Sequence, residues 1–349
     1  MKKFFLILIG VLAMTSCTTD DTEPLVPDEQ HGEHSIGGSM LLATPGFPGY
    51  PEMIYNSEGD TIYQCDDTQS QILSLATDGG DWYAQLSHDD GTYSVVRNGE
   101  TVYTTPRVIA TMAVEGGIVY TVEIDKQDDT RWVYRNFQQL YELDTNVNYY
   151  TFNVQDGNIS FTVNAERPYT WWNGRTYSFE GLDEGFGYTY GMDRNGTDVL
   201  ILYEEYNSRQ YKYYWNGTVH DLPERFNPTT CRIVNGHAFV LGRKLTSSGV
   251  GGMNGVPAVI IDGVETLLSD QKGFAAVKLA KQRMDTYILV NNVLSDSGRS
   301  MLYKNMQQVN LPSNIAIPEN LLKYYTQYGT TINAVELGIT DIAILKTKN

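Results

Sequence analysis

The chain has 349 residues, with 42 acidic side chains against 25 Lys and Arg, a formal charge of −17, and 25 Tyr beside 11 Phe. A chain this acidic repels phosphate backbones, which excludes nucleic acid as a partner. The three cysteines show no CxxC spacing and the five histidines no HxH or HExxH, so neither a metal centre nor a cofactor is expected.

At the N-terminus, Lys2 and Lys3 precede an apolar run from Phe4 to Met14, too short to span a bilayer as a stable helix. The run ends at Thr15-Ser16-Cys17 and resembles the lipobox of bacterial lipoproteins, with Met14 where leucine is commonest. The resemblance implies a signal peptide over residues 1–16 and acylation of Cys17 as a membrane anchor. Each buried acyl methylene adds about 0.8 kcal/mol to such an anchor. Residues 17–36 are rich in acids, Pro and Gly without hydrophobic periodicity, the composition of a solvated tether. Asp20 and Asp21 behind the cysteine resemble the export signal of Bacteroidetes surface lipoproteins. That implies an outer-membrane lipoprotein facing the cell exterior.

Residues 37–349 carry a repeat. Its most regular unit is a hairpin, an apolar or aromatic strand, then Asn or Asp, then a second short strand. The turn residues are Asn56, Asn98, Asn136, Asn173, Asn216, Asp262 and Asn305, separated by 42, 38, 37, 43, 46 and 43 residues. Asn-Gly between alternating residues is a strong hairpin signal. Before each later hairpin lies a strand, a polar or glycine turn and a very apolar strand, as in ATMAVEGGIVYTVEI and CRIVNGHAFVLG. A period near forty with only strands predicts four-stranded propeller blades, strands a to d. The last segment, INAVELGITDIAILKT, reads as an a–b pair with no hairpin after it, and the Asn56 hairpin as a c–d pair with nothing before it. Joined, they complete a blade, so the expected fold is an all-β, seven-bladed propeller whose ends close one sheet and leave no open edge.

The phrases YYWNGTV and TWWNGRT resemble the Trp-Lys-Asn-Gly hairpins of lipoprotein propellers from Bacteroidetes, without the lysine, while MLYKN keeps the lysine and lacks the tryptophan. The resemblance implies a fold and no activity. WD40 signatures are missing: neither a recurring Gly-His nor a Trp-Asp occurs.

No catalytic motif stands out. SHDDGTY (Ser87 to Tyr93) half matches the sialidase-type S-x-D-x-G-x-T-W box, but it occurs once, between strands b and c, with Ser94 at the tryptophan position. It reads as a polar turn. Asp125, Glu166, Asp183, Glu204 and Glu205 read as solvated loop acids, and no GxSxG elbow exists. Cys65 and Cys231 fall about two blades apart, beyond the roughly 7 Å that a disulfide allows between Cα atoms, so both thiols are expected free.

The a–b and c–d turns are tight, and the longer b–c and d–a connections share the opposite face, where function tends to sit. Four connections stand out: Arg243 to Pro257, Glu204 to Tyr211, the GLDEGFGY stretch, and Pro312 to Thr331, where Pro318 is placed to open a short helix. The candidate ligand-binding residues on this face are Arg107, Arg167, Phe186, Tyr188, Tyr206, Arg209, Arg225, Tyr324 and Tyr328. Tyrosine, apolar in body and polar at its tip, suits sugar stacking and protein contact. The expected function is a non-catalytic binding module for a glycan, a peptide or an outer-membrane protein partner. The alternatives are an assembly subunit of an outer-membrane complex and a hydrolase or lyase whose acids converge on a central funnel.

Overall fold

Five of the described hairpin turns place two consecutive residues at positive φ, and in most of them the sequence supplies residues that tolerate it. Asn98-Gly99, Asn216-Gly217 and Asp262-Gly263 have φ of +50° and +90°, +46° and +90°, and +48° and +88°. These are left-handed turns that match strand twist. Asn136-Phe137 and Asn305-Met306 adopt the same conformation with a large second residue. An L side chain there costs about 1–2 kcal/mol, so the surrounding sheet must hold these two turns in shape.

The computed structural model describes residues 40–46, 51–144, 147–163, 169–172, 175–178, 182, 186–246, 255–282, 284–292, 300–311 and 339–345. Strands β1 (Met40–Thr44), β2 (Met53–Asn56) and β3 (Thr61–Gln64) come first. Then come β4 (Gln71–Asp78), β5 (Asp81–Ser87), β6 (Tyr93–Arg97), β7 (Glu100–Thr105), β8 (Val108–Glu115), β9 (Ile118–Ile124), β10 (Arg131–Arg135) and β11 (Gln138–Leu143). The next two groups are β12 (Val147–Gln155), β13 (Asn158–Val163), β14 (Tyr169–Trp172), β15 (Arg175–Ser178), and β16 (Phe186–Asn195), β17 (Asp198–Glu205), β18 (Tyr211–Trp215), β19 (Thr218–Asp221). The chain continues through β20 (Phe226–Val234), β21 (His237–Leu245), β22 (Gly255–Ile261), β23 (Val264–Leu267), β24 (Phe274–Gln282), β25 (Asp285–Asn292), β26 (Ser300–Lys304), β27 (Gln307–Val309) and β28 (Asp341–Ile344). Among the described residues these form seven four-stranded antiparallel sheets, six of them consecutive quartets and one in the order β28-β1-β2-β3.

Within the quartets the central strands are the most buried. The runs WYAQL in β5, LILY in β17 and AFVLG in β21 have no solvent-facing side, as expected of strands covered on both faces. The fourth strands β7 and β11 are mostly exposed. Apolar clusters join neighbouring sheets, such as Tyr83, Val95, Ile109 and Val119 between β4–β7 and β8–β11. First strands also pack successively, β4 on β8, β8 on β12, β12 on β16, β16 on β20 and β20 on β24, and β28 packs on both β24 and β4.

The composite sheet differs from the sequence expectation. Among the described residues the C-terminal segment contributes one strand, β28, and the second place, expected for the other strand of an a–b pair, is taken by β1. The reason lies in MLLAT, five residues that are all buried and pair with Ile342, Ala343 and Ile344 on one side and with β2 on the other. This apolar run satisfies a central position, and residues 332–338 of the expected pair lie outside the described residues.

Carboxylates bind neighbouring sheets at the a–b turns. Asp78 accepts from the Gly117 nitrogen at 2.5 Å, and Glu115 accepts from the nitrogens of Asp156 and Gly157 at 2.7 and 2.6 Å. Deeper, Asp193 takes the Ile233 nitrogen at 2.7 Å and Asn153 Nδ2 at 2.9 Å. Asp341 takes the Leu75 nitrogen at 2.7 Å and Lys278 Nζ at 2.5 Å. Both inner-strand carboxylates thus accept from the next sheet's main chain and from a side chain on the preceding sheet. These four acids hold neighbouring sheets together.

Candidate functional site

Strand a starts at the end of a sheet where strand b stops, so the b–c and d–a connections share one face. At that face β12, β16 and the β17–β18 turn set out a row of tyrosines. Tyr149 and Tyr150 lie with ring centroids 4.6 Å apart, Tyr188 packs edge-on against Tyr190 at 5.2 Å, and Tyr190 against Tyr211 at 5.4 Å. Tyr150, Tyr188 and Tyr206 are 67%, 47% and 66% exposed. Solvated rings of this size are costly to leave bare and suit stacking on a flat partner.

Fixed polar groups hold the row. Tyr190 donates to Glu204 Oε2 at 2.9 Å, and Arg209 reaches Glu204 Oε1 at 3.0 Å while its guanidinium lies 5.9 Å from the Tyr206 ring centre. Arg131 stacks over Tyr149 at 5.9 Å. Burial raises the pKa of the Tyr190 hydroxyl, and the Tyr149 hydroxyl is raised first by its hydrogen bond with Tyr150. Tyr149 and Tyr190 are therefore neutral near pH 7. Glu205 is committed to Ser208 and to Lys212, the latter at 2.9 Å.

Tyr149 and Tyr150 also line a central cavity of about 630 Å³, within the size range of small-molecule sites. Its other walls include Leu73, Ile109, Met112 and Phe152 and the cations Arg232 and Lys278. A second hollow, about 330 Å³, opens between neighbouring connections and is lined by Asp90, Pro106, Arg107, Asp125 and Lys126. Arg107 lies 3.7 Å from Asp125 and stacks over Tyr134. Beneath it Glu123 is fully buried, and its carboxylate accepts from Tyr103, Thr105 and Thr121 at 3.1, 3.3 and 3.1 Å. Burial pushes the Glu123 carboxyl above the usual carboxylate range. Among the described residues no cluster of three or more His, Cys, Asp or Glu could hold a metal ion.

Of the residues expected from sequence, Tyr188, Tyr206 and Arg209 come together on this row. Phe186 and Tyr188 belong to strand β16 itself and not to the preceding connection, because Phe186 already pairs with Glu205. Arg107 serves the second hollow. Arg225 lies in the next connection at φ +66°, where its carbonyl accepts from the Leu245 nitrogen. Arg167, Tyr324 and Tyr328, the expected helix after Pro318, and Cys17 lie outside the described residues, as do residues 247–254 of the Gly-rich connection. The polar SHDDGTY stretch is a b–c turn in which Asp90 accepts from the Thr92 nitrogen at 2.8 Å. Cys65 and Cys231 are both free and buried.

Sequence reading missed Tyr149, Tyr150, Tyr190, Arg232 and Lys278, all of which lie within strands. A tyrosine or a cation inside a strand reads as inter-sheet packing, and only the meeting of several first strands at the centre makes it a lining residue. A signal did exist. The β-bulges in β4, β8, β12, β20 and β24 turn the first strands near the cavity, and polar residues follow or flank them.

No family model and no curated protein matches the chain. Solved structures do. The β-propeller domain of the Trilobed protease from Pyrococcus furiosus is similar with a TM-score of 0.52 at 9% identity, over 81% of this chain and 96% of that one. An acylaminoacyl peptidase from Pyrococcus horikoshii aligns with a TM-score of 0.53 at 12% identity, over 82% of this chain and 52% of that one. An acylaminoacyl peptidase in complex with Z-Gly-Gly-Phe-chloromethyl ketone gives 0.54 at 11% identity, over 84% and 53%. This chain spans about half the length of those two peptidases. The likeness shows the fold alone, an all-β propeller.

Proposed function

We propose that this chain is a non-catalytic binding module of the cell envelope, with an acylated Cys17 holding it on the outer membrane and its tyrosine row presented to a glycan outside the cell. The observation that carries the reading is that row: exposed Tyr150, Tyr188 and Tyr206 beside a cavity whose charged lining residues are cations. The acids nearest the row, Glu204 and Glu205, are tied to Arg209, Tyr190, Ser208 and Lys212 and not free for acid–base work. The same reading takes the propeller as a closed ring of seven blades over residues 37–349, with residues 17–36 as its tether. It draws support from the successive packing of first strands and from β28 touching both of its neighbours.

The test is a glycan array probed with the full chain in detergent micelles, followed by titration of each hit against Tyr188→Ala and Tyr206→Ala. Each substitution is expected to weaken binding about tenfold, the loss of one stacking contact of about 1.4 kcal/mol. A folded chain that binds no sugar, or binds equally after both substitutions, overturns the reading.

A further inference from the structure

The central cavity has a chemical bias that runs against the rest of the molecule. The chain carries 42 acids and 25 Lys and Arg, yet among the described residues the charged side chains on the cavity wall are Arg232 in β20 and Lys278 in β24. These two strands pack on each other, so both cations stand on one side, with Tyr149 and Tyr150 of β12 also on the wall.

Each cation has a carboxylate neighbour, and each of those carboxylates also accepts from main-chain nitrogens. Asp193 beside Arg232 accepts from Asn153 Nδ2 and from the nitrogens of Arg194 and Ile233, at 2.9, 2.9 and 2.7 Å. Asp341 accepts from the nitrogens of Leu75 and Ile342 at 2.7 and 2.8 Å as well as from Lys278. The Lys278 side chain remains 33% exposed, and an ammonium has three donors of which Asp341 takes one. Such a wall offers a ring-stacking surface and charge-assisted donors for one anionic group.

Resting on the glycan-binding reading, we propose that the cavity selects acidic saccharides, with the sugar ring against Tyr149 and Tyr150 and its carboxylate on the wall formed by Arg232 and Lys278. The tyrosine row at the rim then takes the following sugars of the chain, and the cavity reads the charge.

Calorimetry on the full chain in detergent, with tri-galacturonate and its methyl ester, tests this. The acid is expected to bind about tenfold or more tightly than the ester, the scale of a hydrogen bond to a charged group. That preference should disappear in Arg232→Gln and Lys278→Gln, whereas Tyr150→Ala should weaken acid and ester alike. Because Lys278 also holds Asp341, the acid-against-ester comparison in the unaltered chain is the arm that depends on no variant folding. Equal affinity for acid and ester overturns the charge selection and leaves the glycan reading standing. Failure of both to bind overturns the proposal, and the array then decides whether the glycan reading falls with it. Binding of a short peptide with a free C-terminal carboxylate in place of either sugar overturns both.

Discussion

The Asn98 nitrogen donates to the Trp82 carbonyl at 3.0 Å, and the Trp82 nitrogen donates back to Asn98 Oδ1 at 2.9 Å. The same reciprocal pair joins Asn136 to Val119, Asn216 to Val199, Asp262 to Ala238 and Asn305 to Thr286. The repeated Asn therefore does two jobs. It tolerates positive φ in the hairpin, and it satisfies a main-chain N–H at the start of strand b. Arg97 and Lys304, each directly before its Asn, add an ion pair to Asp81 and Asp285 and lie over Tyr83 and Tyr287. That accounts for the basic residue in the hairpin phrase.

Replacing Asn98 by Ala leaves the Trp82 nitrogen without its acceptor and puts a methyl side chain at φ +50°. The expected loss is about 2 kcal/mol in urea unfolding. Asn98→Gly relieves the strained φ but not the missing acceptor, so about 1 kcal/mol should still be lost. Unchanged stability in Asn98→Gly would rule out the side-chain acceptor as a cause.

Asp341 holds the C-terminal strand to both neighbouring sheets while 5% exposed. Asp341→Ala strands Lys278 and the Leu75 nitrogen together, so a loss of about 3 kcal/mol is expected. Asp341→Asn, which keeps an acceptor, should cost less. Amide exchange at Leu75 should quicken in both variants, and unchanged exchange there would show that the contact does not latch the sheet.

Glu123 sets a pH dependence. Its carboxyl is raised above its usual 4.5, mainly by burial. As pH rises the unfolded chain loses this proton first, so the stabilising contribution is complete below about pH 4.5 and is lost as pH climbs through the folded value. Glu123→Gln removes the term. The stability of the variant relative to the native chain should therefore increase between about pH 4 and pH 7. A constant difference across that range would mean that Glu123 titrates normally.

Both folded-domain thiols should be inert. Burial pushes Cys65 up to about 12 and Cys231 higher still, so little thiolate exists near neutral pH. Iodoacetamide at pH 8 should leave both unmodified in the native chain and modify both in denaturant, as read by peptide mass spectrometry. Rapid labelling of Cys231 without denaturant would contradict its burial.

The propeller was legible because its signals are local. Asn-Gly turns and unbroken apolar runs such as LILY and AFVLG mark hairpins and covered strands within a few residues. The share of each terminus in the composite sheet was not, since MLLAT and IAIL are both apolar enough for a central strand and only pairing across the chain orders them. The candidate site was half legible. Tyr206 and Arg209 sit in a polar connection that reads as surface, whereas Tyr150, Arg232 and Lys278 gain their meaning from sheets far apart in sequence.

The most direct test of the account is hydroxyl-radical footprinting of the full chain with and without the strongest ligand from the glycan array. The account predicts protection at Tyr150, Tyr188 and Tyr206 and none at the tight turns around Gly117, Gly157 and Gly236. Protection confined to those turns, with the three tyrosines unchanged, would contradict it.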